Sequence, residues 1–231
     1  MGQLKYRRYC NPMWEKLKYF LRYYTIKEGR SPINGMYKVV MWLNRPRLII
    51  GNMVQSGGGV RKIWNKAIHT LKEKNIKVNR ALIIGLGCGD AAFEIRNHYR
   101  RAKITGVEID PHVVEMARCY FNLATVKNLN ISIADGAGYV AKLARGKRIA
   151  KFDLIIVDAY LGSSMPRSFR SKTFFKQLTK ILTHDGVVIY NHLFYDRYKS
   201  EAEKFIKEME TAFGKVTLVR AEQNLLIFGW Y

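Results

Sequence analysis

Ala81-Leu82-Ile83-Ile84-Gly85-Leu86-Gly87-Cys88-Gly89-Asp90 is the stretch that decides the fold. Four apolar residues read as a buried strand, Gly85, Gly87 and Gly89 form a GxGxG turn, and Asp90 opens a helix. Glycine suits such a turn because the backbone must bend sharply and let a ligand come close. The dinucleotide-binding version, GxGxxG/A, needs Gly or Ala at position 90. Asp90 stands there, and an acid at a helix N-terminus repels pyrophosphate. The turn therefore points to a nucleoside without a diphosphate.

Working outward, residues 81–231 alternate strand and helix. Strands are predicted at 81–84, 103–108, 130–134, 152–158, 186–191, 215–220 and 224–229. Helices are predicted at 90–99, 111–120, 137–144, 168–182 and 197–212. Short apolar β-branched runs between helical patterns imply a parallel sheet covered on both faces. Ala221-Glu222-Gln223 is too short for a crossover, so the last two strands form an antiparallel hairpin. The fold class is α/β: a Rossmann-like class I methyltransferase fold with a seven-stranded, mostly parallel sheet whose last strand is antiparallel.

Two acids follow the next strands. Glu108 ends the second strand, where a carboxylate can accept both ribose hydroxyls. Asp135, followed by Gly136, ends the third and is placed to meet an adenine amine. Asp158 closes the fourth strand, where it can take a proton from an attacking amine. Tyr160, Tyr190, Asn191 and His192 fall near the same sheet edge, and the residues alone give Tyr190, Asn191 and His192 no role.

Before residue 81 the pattern differs. Apolar residues at 14, 17, 20, 21 and 24 keep helical spacing in a basic arm assigned to residues 1–30. Residues 31–59 read as a small antiparallel β extension, with strands inside 36–55. A helix is predicted near 60–74, with Ile63, Trp64, Ala67, Ile68 and Leu71 on one face. It opens the Rossmann-like nucleotide-binding catalytic domain, 60–231.

Composition narrows the class. The 231 residues carry a net charge of +22. Residues 1–80 hold 18 basic residues against 3 acidic, and the rest 22 against 15. Such a field attracts an anionic partner such as nucleic acid. No apolar run is long enough for a transmembrane helix, and the N-terminus lacks a signal core, so a cytoplasmic protein is expected. Cys10, Cys88 and Cys119 are odd in number and widely spaced, which predicts reduced thiols and no metal site.

These motifs resemble the spermidine synthase (polyamine aminopropyltransferase) family, over about residues 36–230. Arg47 to Gln55 of the small sheet, the glycine turn, Val107-Glu108-Ile109-Asp110-Pro111, Ala134-Asp135-Gly136 and Asp153 to Asp158 carry the likeness. The resemblance implies a dimer and alkyl transfer, methyl or aminopropyl, to a small-molecule, amine-type acceptor. The co-substrate would be S-adenosylmethionine or its decarboxylated form, with no metal. It puts Gln55 beside the nucleoside, Asp158 as base, and Trp64 and Tyr160 at the acceptor pocket. The sequence departs from the family at three places. Cys88 replaces the Asp of GGGDGG, Leu161 replaces the second acid of DxxDP, and Trp64-Asn65-Lys66 replaces Tyr-(His/Gln)-Glu. Rival readings are a nucleic-acid-directed methyltransferase and a non-catalytic nucleotide-binding module.

Overall fold

The computed structural model describes residues 23–146, 149–196 and 198–230. Two sheets organise them. The smaller is antiparallel, in the order β1 (Tyr24–Ser31), β2 (Gly35–Trp42), β3 (Arg45–Ile50), β4 (Met53–Ser56). The larger contains β5 (Arg80–Ile84), β6 (Lys103–Glu108), β7 (Leu129–Ile133), β8 (Phe152–Val157), β9 (Leu182–Leu193), β10 (Lys215–Ala221) and β11 (Asn224–Trp230). Its order is β10-β11-β9-β8-β5-β6-β7. Strands β7, β6, β5, β8 and β9 are parallel, and β11 runs antiparallel to both its neighbours. Among the described residues, six α-helices link or flank the strands: α1 (Val60–Glu73), α2 (Asp90–His98), α3 (Pro111–Tyr120), α4 (Gly136–Arg145), α5 (Lys172–Ile181) and α6 (Tyr198–Ala212). No helix among the described residues is long and apolar enough to cross a membrane.

Successive strand residues point to opposite faces, so a sheet covered twice needs unbroken apolar strands. Ala81 and Ile83 join the core under α1 and α2, whereas Leu82 and Ile84 join the core under α4 and α5. Leu154 and Ile156 divide from Ile155 and Val157 in the same way. The chain turns from β5 to β6 on one side and later places β8 on the other. The gap between the C-terminal ends of β5 and β8 is therefore the switch point of the sheet, where α/β ligands bind.

Three elements differ from the sequence expectation. The predicted helix over 14–24 lies almost wholly outside the described residues. Its last residue, Tyr24, starts a strand instead, because β1 pairs with β2 from Tyr24↔Met41 to Ser31↔Gly35. The small sheet thus begins at residue 24 and takes in the end of the expected arm. The segment 168–182 is a short 3-10 turn, Arg167–Arg170, followed by α5, because the Ser171 hydroxyl caps the new helix by accepting from the Phe174 N–H at 3.1 Å. β9 begins at Leu182 rather than 186, with Leu182 paired to Phe152 before a register shift.

Asp110 locks the two sheets together. It is fully buried and accepts from the Ser31 hydroxyl, the Asn34 amide at 2.7 Å and the His112 N–H at 2.9 Å. The last bond caps α3; the first two fix the β1–β2 turn. Asp110→Ala strands the buried Ser31 hydroxyl and two part-buried donors. It should cost about 2–3 kcal/mol and lower the melting temperature by about 5–10 °C in calorimetry.

Candidate active site

Parallel register sets the site. Ile84 lies opposite both Val107 and Val157, and Glu108 lies opposite Ile133. The residues that follow these strands, Gly85, Asp158 and Asp135, therefore emerge with Glu108 along one edge. They line a single cavity of about 200 Å³, together with Gln55, Gly87, Gly136 and Tyr160. Asn34 and Ile50 close it from the small sheet, and Ser168 and Phe169 from the turn before α5.

The glycine turn is tight. Gly85 has φ +84°, and a Cβ there would sit 2.3 Å from the Asp158 carbonyl oxygen. Only glycine lets β5 and β8 approach so closely. Gly89, at φ +92°, starts α2 and faces Leu123, away from the cavity wall. Its part is conformational.

Glu108 is buried, and its carboxylate is held by three backbone donors. Oε2 accepts from Gly87 N–H at 2.9 Å, and Oε1 from Ile109 and Asp110 N–H at 3.0 and 3.1 Å. Burial raises its pKa, opposed by these hydrogen bonds and assisted by the charge of Asp110. A carboxylate has about four acceptor directions, so Oε2 still has room for a hydroxyl from the cavity. Asp135 caps α4 through Oδ1, which accepts from Gly138 N–H at 2.7 Å. Its other oxygen is left for an amine donor. These residues fit the ribose and adenine of a nucleoside, set among apolar Ile84, Val107, Ile109 and Val113.

Asp158 sits at the inner end. Its Oδ1 accepts from the Asn191 amide at 2.9 Å. Asn191 is itself fixed: its side-chain oxygen accepts from Asn224 at 2.8 Å, and its main-chain oxygen from the Tyr160 hydroxyl at 2.9 Å. Burial pushes Asp158 up to about 7, the Asn191 bond opposes that, and Asp90 and Glu108 add to it through charge. Burial also raises Tyr160 far above the usual phenol range.

Two further contacts join the small sheet to the turn. The Ser56 hydroxyl accepts from Cys88 N–H at 3.0 Å, and buried Asp90 accepts from Gly57 N–H at 2.9 Å. Asp90 thus turns to the linker before α1, which explains an acid at a helix start.

Trp64 lies in the core and not at the acceptor pocket that the family resemblance implies: it is 1% exposed and packs beside Ala67, Ile68 and Leu71. The apolar face of α1 lies on the sheet, and the indole goes with it. Cys88 is likewise buried off the nucleoside cavity, and burial raises its thiol pKa. His192 is structural: it is buried, its Nδ1 is 2.8 Å from the Leu193 carbonyl, and its ring lies against Phe205. Sequence reasoning missed Asn34, Ser56 and Asn224, and placed Asn191 at the sheet edge without a role. None sits in a motif, and each acts through a partner at least 32 positions away.

The model of the spermine/spermidine synthase domain matches residues 63–223. The chain belongs to that family. Its relatives divide between two reactions. Over 116 residues it is 34% identical to the mouse eEF1A lysine and N-terminal methyltransferase, covering 48% of this chain and 16% of that protein. Over 145 residues it is 30% identical to a probable polyamine aminopropyl transferase of Bifidobacterium longum, covering 62% of this chain and 31% of the relative. The chain therefore spans under a third of the length of either. Human methyltransferase-like protein 13, solved in complex with SAH, superposes with a TM-score of 0.62 at 27% identity, over 75% of this chain and 82% of that one.

Glu108→Ala removes the buried carboxylate that faces the cavity and frees the glycine turn. Calorimetry with S-adenosylhomocysteine should show binding weaker by about 1.5–3 kcal/mol. Unchanged affinity would place ribose elsewhere.

Proposed function

We propose that this protein transfers an alkyl group from an S-adenosylmethionine-type donor to an amine. The observation that carries the reading is one cavity holding the glycine turn, Glu108, Asp135 and Asp158 together. Glu108 would take the ribose hydroxyls, Asp135 the adenine amine, and Gln55 and Gly87 the nucleoside edge. Asp158 would receive the acceptor.

In the step, Asp158 accepts a proton from the acceptor ammonium. The freed nitrogen lone pair attacks the alkyl carbon, and a C–N bond forms as the C–S bond breaks. The bonding pair returns to sulfur, turning the sulfonium into a neutral thioether, and the new amine carries the positive charge. Such a displacement depends mainly on positioning. The Asn191–Asn224 pair supplies it by holding one Asp158 oxygen and leaving the other free.

The methyl form of the reaction has the stronger support. A donor aminopropyl group carries an ammonium, which needs a carboxylate beside the glycine turn. Cys88 occupies that position as a buried thiol, and Asp90 is engaged by Gly57. The mouse and Bifidobacterium relatives are named for the two alternatives, so the donor must be tested directly. Titration with S-adenosylmethionine, decarboxylated S-adenosylmethionine and methylthioadenosine should rank the first tightest. Preference for the decarboxylated donor would return the reaction to aminopropyl transfer, and silence with all three would end the transferase reading.

Asp158 also predicts two pH effects. Only its ionised form accepts a proton, so turnover should climb with pH through about 7. A carboxyl raised in the folded chain holds its proton better there than when unfolded. Stability is therefore lost as pH rises from about 4 towards about 7. Asp158→Asn removes that loss. It should melt higher than the parent near pH 8, converge with it near pH 4, keep nucleoside affinity and lose turnover.

A further inference from the structure

A second chamber, of about 320 Å³, lies on the far side of Asp158. Gln55, Asp158 and Tyr160 line both chambers, so they form the partition where the alkyl group would cross. Its remaining wall comes from the β3–β4 turn, the start of α1, the end of β9 and the β10–β11 turn.

The chemistry of that wall is unusual for a site receiving an amine. Five side chains are carboxamides: Asn52, Gln55, Asn191, Gln223 and Asn224. Tyr160 and Tyr195 add hydroxyls, and Met53, Val60, Ile63 and Leu193 add apolar surface. Among the described residues, Asp158 is the only carboxylate in the lining. Glu201 acts on Tyr160 through charge but is exposed and lies outside the wall. Asn191 and Asn224 are committed to the Asp158 network. Asn52, Gln55 and Gln223 make no side-chain hydrogen bond to a described residue and are free to pair with an occupant.

One carboxylate matches one ammonium. A second ammonium entering this chamber would shed water without gaining an opposite charge, which is costly. Carboxamides offer a donor and an acceptor side by side, and peptide groups present the complementary pair. We propose that this chamber receives an amine carried on an uncharged, amide-bearing chain: a peptide with a free amino group. The proposal rests on the alkyl-transfer reading and names its acceptor.

The test uses the full chain saturated with S-adenosylhomocysteine, titrated with triglycine amide, its N-acetyl derivative, n-butylamine and spermidine. Triglycine amide should bind about tenfold or more tighter than either amine, and acetylation should abolish the binding. Gln223→Ala, at an exposed turn, should weaken triglycine amide about fivefold while leaving S-adenosylhomocysteine affinity unchanged. Spermidine binding as tightly as the peptide, or n-butylamine matching it, would overturn the acceptor assignment and leave the donor site standing. Failure of S-adenosylhomocysteine itself to bind would remove both.

Discussion

The bond from Gly87 N–H to the Glu108 carboxylate, 2.9 Å long, is the contact on which the site depends. It joins the turn after β5 to the end of β6 across the parallel pair. Glu108 also holds the backbone of Ile109 and Asp110, so one side chain shapes both loops. A buried carboxylate tolerates its lost hydration when backbone donors replace water, and here three do so. Because those donors are fixed by strand register, the remaining acceptor capacity of Glu108 has a fixed direction. The position proposed for ribose therefore follows from sheet pairing more than from any flexible loop.

The small sheet is the other half of the site. Ser56, Gly57, Ser31 and Asn34 bind the turn at Cys88, Asp90 and Asp110. These contacts bring Asn34 and Gln55 to the cavity wall and make the sheet part of the partition between the chambers. Shape and acceptor choice are thus divided. On the proposed reading, the Rossmann-like body would fix the nucleoside and the base, while the small sheet and the β10–β11 turn would line the acceptor side.

Much of this was legible from residues alone because it is local. A short apolar run ending in GxGxG fixes β5 and its turn, and an acid after each of the next strands lands at the same edge once the strands are parallel. What was illegible depends on distance or competition. The apolar spacing extends a helical pattern to Tyr24, yet Tyr24 itself pairs with Met41 of β2. Trp64 sits at a position that the family likeness links to the acceptor, but its apolar neighbours on α1 draw it into the core. Asn224 meets Asn191 only because β11 lies antiparallel on β9, 33 residues back.

A chain of net +22 places Asp90, Glu108 and Asp158 close enough for each of the first two to raise the third. Folding alone would favour fewer acids here, because their burial and mutual repulsion oppose ionisation. Burial, with the charges of Asp90 and Glu108 adding to it, raises the Asp158 pKa to about 7, where a carboxylate can both take up a proton and release it to water. The Asn191 bond limits the shift, so that the group remains ionisable. On the proposed reading, a neutral amide wall around the one carboxylate that the described residues place there would leave the acceptor's own charge to decide what enters.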